Sequence, residues 1–173
     1  MTAVDQKHVV AFLRDITVRK LAEKKIQELA FTDNLTGLSN RNYFEKFIAE
    51  AQPDGQHNSA VILFDLDNFK LINDTRGHFE GDKLLRKVGA LIDKFVSTKI
   101  SVFRLGGDEF AMLLCDLSSE EEAKEVLGRI VDTVARPIRL DGQIAKIGIS
   151  IGYTLVPLDP SEPDVLLRHA DQA

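Results

Sequence analysis

Two pairs of acidic residues in this chain stand where short apolar runs end. The stretch Arg104-Leu105-Gly106-Gly107-Asp108-Glu109-Phe110 lies between the runs Ile100 to Phe103 and Phe110 to Leu114. Apolar residues on both sides of two glycines read as a β-hairpin turning at Gly106-Gly107. Asp108 and Glu109 are then carried at the rim of a sheet. Glycines there permit positive φ and let a ligand approach the backbone. The second pair closes the buried-strand run Ala60 to Phe64, which ends in Asp65-Leu66-Asp67. Strand alternation can put Asp65 and Asp67 on one face with Leu66 in the core. If the two strands are neighbours, Asp65 and Asp108 meet. Four like charges at adjoining strand ends cost stability unless a cation sits among them, and hard carboxylate oxygens suit magnesium bound together with substrate phosphates.

The elements that must position these acids are legible in outline. The strand Ala60 to Leu66 feeds a helix beginning near Asn68, whose free backbone N–H groups at Asn68 and Phe69 can hold an anion, with Lys70 adding a side-chain charge. Gly77 breaks that helix. A second runs from about Glu80 to Val96 with Leu84, Leu85, Val88, Leu91, Ile92 and Phe95 as its core face. Ser118-Ser119-Glu120-Glu121-Glu122 is a capping box opening a helix that reaches about Ala135 and stops before Pro137. Ile138 to Leu140, the turn Asp141-Gly142 and the long strand Gln143 to Val156 make a hairpin, with Ile147, Ile149 and Ile151 on one face. A last helix opens at Ser161 and Pro163. Upstream, Ser39 can cap a helix over Arg41 to Ala51 with Phe44, Phe47, Ile48 and Ala51 as its buried stripe, and Gln52 to Ser59 is a loop. Thr17 can cap an amphipathic helix to about Ala30, which either packs on its own domain or forms a short parallel coiled coil.

Composition narrows the class. At 173 residues the chain is about one domain plus an extension, with 44% hydrophobic and 28% charged residues, ordinary for a soluble globular protein. No apolar run approaches the roughly 18 residues that span a bilayer, and no secretory signal opens the chain. The single cysteine, Cys115, excludes an internal disulfide and reads as a small core residue. A net charge of −5 and the lack of a basic patch argue against nucleic-acid binding driven by phosphate neutralisation. A nucleotide partner must be held locally.

Gly106-Gly107-Asp108-Glu109-Phe110 is accompanied upstream by Asp65-Leu66-Asp67-Asn68-Phe69-Lys70, by Asn73-Asp74-Thr75-Arg76-Gly77-His78 and by Asp33-Asn34-Leu35-Thr36-Gly37-Leu38-Ser39-Asn40-Arg41. In this order and spacing the four motifs resemble the GGDEF family of diguanylate cyclases, over residues 31–173. The resemblance implies an α+β sandwich: a mixed central β-sheet flanked by helices, the palm-like nucleotidyl cyclase fold, here with an N-terminal linker helix. Residues 1–30 resemble the exit of a PAS sensor domain, with the strand-like run Val9 to Leu13, followed by that linker.

The implied activity is condensation of two GTP into cyclic di-GMP with release of two pyrophosphates, carried out by a homodimer because one pocket holds one GTP. The implied ligands of Mg2+, or of Mn2+ in its place, are Asp65, the backbone carbonyl of Leu66 and Asp108. Asp108 is also the implied proton acceptor, Glu109 a second metal-binding or triphosphate-organising carboxylate, and Lys70 the transition-state stabiliser. Asn68 and Phe69 would meet phosphate through the main chain, and Asn73, His78 and Asp82 would contact substrate. Asp82 supplies the acceptor that guanine N1–H and N2 require. Taken alone, Asp67 reads as the cap of the next helix, His78 as a turn residue, Lys70 as a solvated charge and Arg104 as the partner of a nearby carboxylate or of a phosphate.

The chain departs from the family at two places. Ser97 and Ile100 stand where the family's product-inhibition arginine and aspartate would be, which implies no tight cyclic di-GMP binding there. After Arg168-His169-Ala170-Asp171-Gln172-Ala173 the family continues with a tyrosine, a lysine and a glycine-arginine-asparagine stretch, so the domain reads as C-terminally truncated. Such an ending also resembles proteins in which a phosphodiesterase domain follows. The alternative reading is therefore a degenerate GTP-binding GGDEF domain regulating an adjacent phosphodiesterase or sensor domain. The expected location is the cytoplasm, in a parent protein that could be membrane-anchored.

Overall fold

The computed structural model describes residues 29–50 and 58–157, together with Thr17 and Lys20. Strand β1 (Ser39–Asn40) leads directly into helix α1 (Arg41–Glu50). Strand β2 (Asn58–Leu66) is followed by helices α2 (Phe69–Arg76) and α3 (His78–Ile92), the latter running on into a 3-10 turn at Asp93–Phe95. The hairpin β3 (Ile100–Gly106) and β4 (Glu109–Leu117) precedes α4 (Glu120–Val134), a short ribbon of β5 (Ile138–Leu140) and β6 (Gln143–Ala145), and β7 (Ile149–Pro157).

The main sheet has the order β1-β3-β4-β2-β7, with β1 parallel to β3 and the other neighbours antiparallel. This is the mixed central sheet that the motifs imply. Strands in the middle of such a sheet, covered on both faces, must be apolar on both. Alternate residues of β2 obey that rule. Ala60, Ile62, Phe64 and Leu66 join a core with Leu84, Leu85, Val88 and Ile92 of α3 and with Ala123, Val126, Ile130 and Val134 of α4. Val61 instead meets Phe44 and Ile48 of α1, together with Phe103 and Ala111, on the other face. Phe44 packs edge-on against Phe103 at 5.2 Å, and Phe64 stacks on Phe110 at 5.5 Å.

Several local expectations are corrected. The hairpin turns at Gly107-Asp108, not Gly106-Gly107, because Gly106 still pairs with Glu109. Gly106 (φ +145°) and Gly107 (φ +53°) hold conformations that side chains rarely adopt, and a Cβ at either would meet nothing within 4 Å. Glycine is required here by the backbone. Asn40, rather than Ser39, caps α1: it directly precedes the first helical residue, Arg41, and its Oδ1 accepts from the Tyr43 N–H at 3.1 Å. β2 begins at Asn58, so Ser59 belongs to the strand and not to the loop. Helix α3 starts at His78 directly after Gly77, two residues before the expected Glu80.

The capping box forms with one bond displaced: Ser119 Oγ accepts from the Glu122 N–H, but Glu122 Oε2 accepts at 2.8 Å from the N–H of Ser118, one residue before the cap. The expected long strand from Gln143 is divided at 146–148. β6 pairs only with β5, and β7 crosses to the edge of the main sheet beside β2. Cys115 is half-buried, and burial followed by the Asp116 charge pushes its thiol up, in keeping with an inert role. The 17–30 helix is seen as helical backbone at Thr17, Lys20 and residues 29–30; the rest of it, the Val9 to Leu13 run, Ala51 and the last helix lie outside the described residues.

Finally, the expected lack of a basic patch does not hold in three dimensions. Arg86 and Lys87 of α3, Lys94 of the 3-10 turn that follows it, Arg129 of α4, and Arg136 and Arg139 around the start of β5 line one groove.

Candidate functional site

The two acidic strand ends come together. β2 and β4 are neighbours, and their register sets Asp65 opposite Glu109. Directly opposed residues on paired strands lie about 5 Å apart at Cα, and Asp108 precedes Glu109 in the turn. Asp65 is exposed, while Leu66 beside it is buried, so Leu66 can contribute only its backbone to a ligand. The Asp65 carboxyl is pushed above its ordinary value, first by partial burial, then by the charge of Asp108, with smaller contributions from Glu109 and Asp67; a hydrogen bond from the Leu66 N–H opposes them. The repulsion foreseen from the sequence is thus present.

Asp67 lies on the same side of the sheet as Asp65, as strand alternation predicts, because it bonds Ser150, the residue opposite Asp65; it does not cap α2. The strand ends at Leu66, and the Asp67 N–H donates to the Gly148 carbonyl at 3.0 Å while its Oδ1 accepts from Ser150 Oγ at 2.7 Å. Gly148 makes this possible, since a Cβ there would stand 2.3 Å from Asp67 Oδ2. Asn68 occupies the N-cap position in a left-handed conformation (φ 59°, ψ 22°) and makes no side-chain cap bond. Asparagine tolerates this region better than most residues. The first N–H groups of α2, including that of Phe69, have no intrahelical carbonyl to meet. The Phe69 side chain is buried in the core, leaving its main chain for binding, and Lys70 is exposed one residue on.

Asn73, His78 and Asp82 lie across the junction of α2 and α3. Gly77, at φ +84°, breaks the chain between the two helices and donates its N–H to the Asn73 carbonyl at 2.8 Å. His78 is exposed, and Asn73 and Asp82 are half-buried. Asn73 rests against α3 at Gly81, where a Cβ would come within 2.0 Å of Asn73 Oδ1 and 3.2 Å of Phe69 Cζ. Gly81 therefore sets where the Asn73 carboxamide can lie. A glycine inside a helical pattern is the signal that points to it, and the sequence reading passed over it.

Two arginines complete the site. Arg104 is buried at 8% exposure. Its Nη1 donates to both Asp33 carboxylate oxygens at 2.9 and 3.0 Å, and its Nε and Nη2 donate to the Gly107 carbonyl at 3.1 and 2.7 Å. Of the two expectations for Arg104, pairing with a carboxylate is the one observed. Asp33 also accepts from the Thr36 N–H and Oγ1 at 2.8 and 2.7 Å. Burial pushes its carboxyl up, but the Thr36 and Arg104 bonds outweigh burial and hold it below the usual carboxylate range. Arg41, at the start of α1, donates from Nε to the Leu105 carbonyl at 3.2 Å and from Nη2 to Glu109 at 3.3 Å. Sequence reasoning missed Arg41, because no local pattern reveals a contact across 68 positions.

Among the described residues no three His, Cys, Asp or Glu side chains converge as a ready-made metal cage. Asp65, Asp108 and the Leu66 backbone offer a partial set of hard oxygen donors. That set fits Mg2+, which binds through one or two carboxylates and keeps its other positions for water and phosphate. The acidic neighbours that help to raise the Asp65 carboxyl also favour a positive charge beside it.

The sequence model of the family described as "Diguanylate cyclase, GGDEF domain" matches residues 30–173. A solved structure of a sensory box/GGDEF family protein from Caulobacter crescentus is 37% identical, with a TM-score of 0.77 over 83% of this chain and 95% of that one. Diguanylate cyclase TpbB of Pseudomonas aeruginosa is 38% identical over 83% of this chain and 34% of its own length. Cyclic di-GMP phosphodiesterase PdeR of Escherichia coli is 36% identical over 92% of this chain and 24% of its own length. The chain thus spans between about a quarter and a third of the length of these two curated relatives.

Asp33→Asn tests the clamp on the hairpin. Removing the carboxylate leaves a buried guanidinium without its counter-charge, and a loss of about 3 kcal/mol at neutral pH is expected in urea unfolding. Because the folded pKa of Asp33 is depressed, its contribution is complete above the unfolded value near 3.8 and fades as pH falls through the lower folded value. The difference between wild type and Asp33→Asn should therefore shrink only below about pH 4.

Proposed function

Since the chain belongs to the GGDEF family of diguanylate cyclases, we propose that it condenses two GTP into cyclic di-GMP and two pyrophosphates, as a homodimer. The observation that carries this reading is the register that opposes Asp65 to Glu109, with Asp108 in the adjoining turn. Each half-reaction joins the 3′-oxygen of one GTP to the α-phosphorus of the other as the bond to pyrophosphate breaks. The 3′-hydroxyl proton passes to the Asp108 carboxylate. Glu109 organises the triphosphate, and Lys70 stabilises charge as the phosphorus changes bonding. The N–H groups at Asn68 and Phe69 receive phosphate oxygens, which the start of a helix favours. Asp82 accepts from guanine N1–H and N2, Asn73 both donates and accepts at the base, and His78 makes a further substrate contact.

Asp65, Asp108 and the Leu66 carbonyl would hold Mg2+, with Mn2+ as the substitute. When bound, the ion lowers the 3′-hydroxyl pKa and screens phosphate charge. One pocket accommodates one GTP, so two copies face each other. Residues 31–173 form the cyclase domain, and residues 1–30 are the exit of a PAS sensor and the helix that links it, in a cytoplasmic location. No helix among the described residues is long and apolar enough to cross a membrane. Ser97 and Ile100 close a turn by an N–H···O bond of 3.0 Å and lack the charges that a tight product site would need.

A second reading is favoured by the match to PdeR, a protein named for phosphodiesterase activity. In it the domain binds GTP and regulates a neighbouring phosphodiesterase or sensor domain without turnover. Incubation with GTP and Mg2+, followed by chromatography for cyclic di-GMP and pyrophosphate, separates the two. Product formation supports the cyclase, whereas GTP binding without product supports the regulator. While the protein is dilute, the rate should rise with the square of its concentration; strictly linear dependence would count against the dimer.

Two substitutions test the residue roles. Asp65→Asn should lower turnover by at least about 100-fold, the scale of losses at metal sites. The raised folded pKa of Asp65 means that its ionisation opposes folding as pH rises through that value. At neutral pH the ion-free variant should therefore melt slightly higher than wild type while losing the Mg2+-dependent gain. Gly81→Ala should leave stability within about 1 kcal/mol, because alanine's helix preference offsets the crowding. It should raise the KM for GTP about tenfold or more by displacing Asn73, a difference worth about 1.4 kcal/mol.

A further inference from the structure

A groove of about 760 Å3 lies between α3, the C-terminal end of α4 and the start of β5. Its walls carry Arg86, Lys87, Lys94, Arg129, Arg136 and Arg139 and no acidic residue. Setting these six cations aside from a net charge of −5 leaves −11 on the rest of the chain. Among the described residues no carboxylate lies within 4.0 Å of the charged groups of Arg86, Lys87, Lys94, Arg136 or Arg139. The guanidinium of Arg129 sits over the Phe95 ring at 5.2 Å. The floor is apolar: Leu91 and Phe95 pack on the core, and Ile138 is buried. Cations gathered without counter-ions in an acidic protein repel one another, and a ligand of opposite charge relieves that repulsion.

The geometry points to this groove as the docking site for an acidic amphipathic helix of a partner protein. Such a helix sets an apolar stripe on the Leu91, Phe95 and Ile138 floor and presents carboxylates to the arginines and lysines on the rim. Length agrees with this. Arg86 to Lys94 covers about 12 Å along α3 and the 3-10 turn that continues it, which corresponds to about two helical turns. A long nucleic acid fits less well, because beyond the groove its phosphates meet the net negative remainder of the surface. A membrane also fits less well, since the apolar groups lie beneath the cations rather than projecting past them.

The test uses the full chain and a fluorescein-labelled helical peptide with a leucine and phenylalanine stripe and glutamate elsewhere, read by fluorescence anisotropy. A second peptide has lysine at every glutamate. Wild type should bind the acidic peptide, more weakly as salt rises, and ignore the basic one. Arg129→Glu with Arg136→Glu should weaken the acidic peptide about tenfold or more and create binding to the basic peptide, with the circular dichroism unchanged. Arg86→Glu with Lys87→Glu, on the other wall, should act in the same direction and keeps the test valid if the first pair misfolds. Equal binding of the acidic peptide by wild type and both variants would overturn the proposal. So would an oligothymidylate or GTP binding the groove more tightly than the acidic peptide does.

Discussion

A buried guanidinium must have all its donors met, and in this protein that demand ties the hairpin to the segment before α1. Arg104 has Asp33 on one side and the Gly107 carbonyl on the other. Leaving either end unpaired would strand charge in the interior, so the two partners are held at fixed separation from β3. The conformation of the turn follows. Gly107 adopts a left-handed φ and turns its carbonyl to Arg104, and Asp108 is the next residue. Asp108 thereby gains its position from an ion pair in which it takes no part.

The same economy recurs at the other strand end. Gly148 admits the Asp67 carboxylate, which Ser150 then holds, and Gly81 admits the Asn73 carboxamide. In both places a missing Cβ is what lets a polar side chain lie close to the backbone. Asp65 is the counter-example, since nothing neutralises it from within the described fold except one backbone N–H, and burial followed by its acidic neighbours pushes its carboxyl up. Arg41, bonded to Glu109 at 3.3 Å and half-exposed, moderates that repulsion at the surface.

Charge is unevenly spread over the molecule as well. Acids gather where β2 ends and β4 begins, and cations gather between α3 and α4. Composition averages these into a net −5, which describes neither region. The basic residues are spaced through two stretches, 86–94 and 129–139, and only the packing of α3 beside α4 and β5 brings them to one groove.

By itself the sequence determined the mixed α+β architecture, the two acidic strand ends, the capping box at Ser119 and the break at Gly77, because each is written in neighbouring residues: alternating apolar positions, a serine three places before a glutamate, a glycine between two helices. Local pattern also misled, and for a consistent reason. Asp67 and the 143–156 run each have a short-range role that a longer-range bond overrides, namely the bond to Ser150 and the crossing to β2. Only the tertiary structure decided that Asp33 serves Arg104, that Arg41 reaches Glu109, and that scattered cations form a groove. Those contacts join residues about 35 to 71 positions apart. No periodicity of a helix or a strand extends that far, so the register of β2 against β4 and the packing of the helices had to supply them.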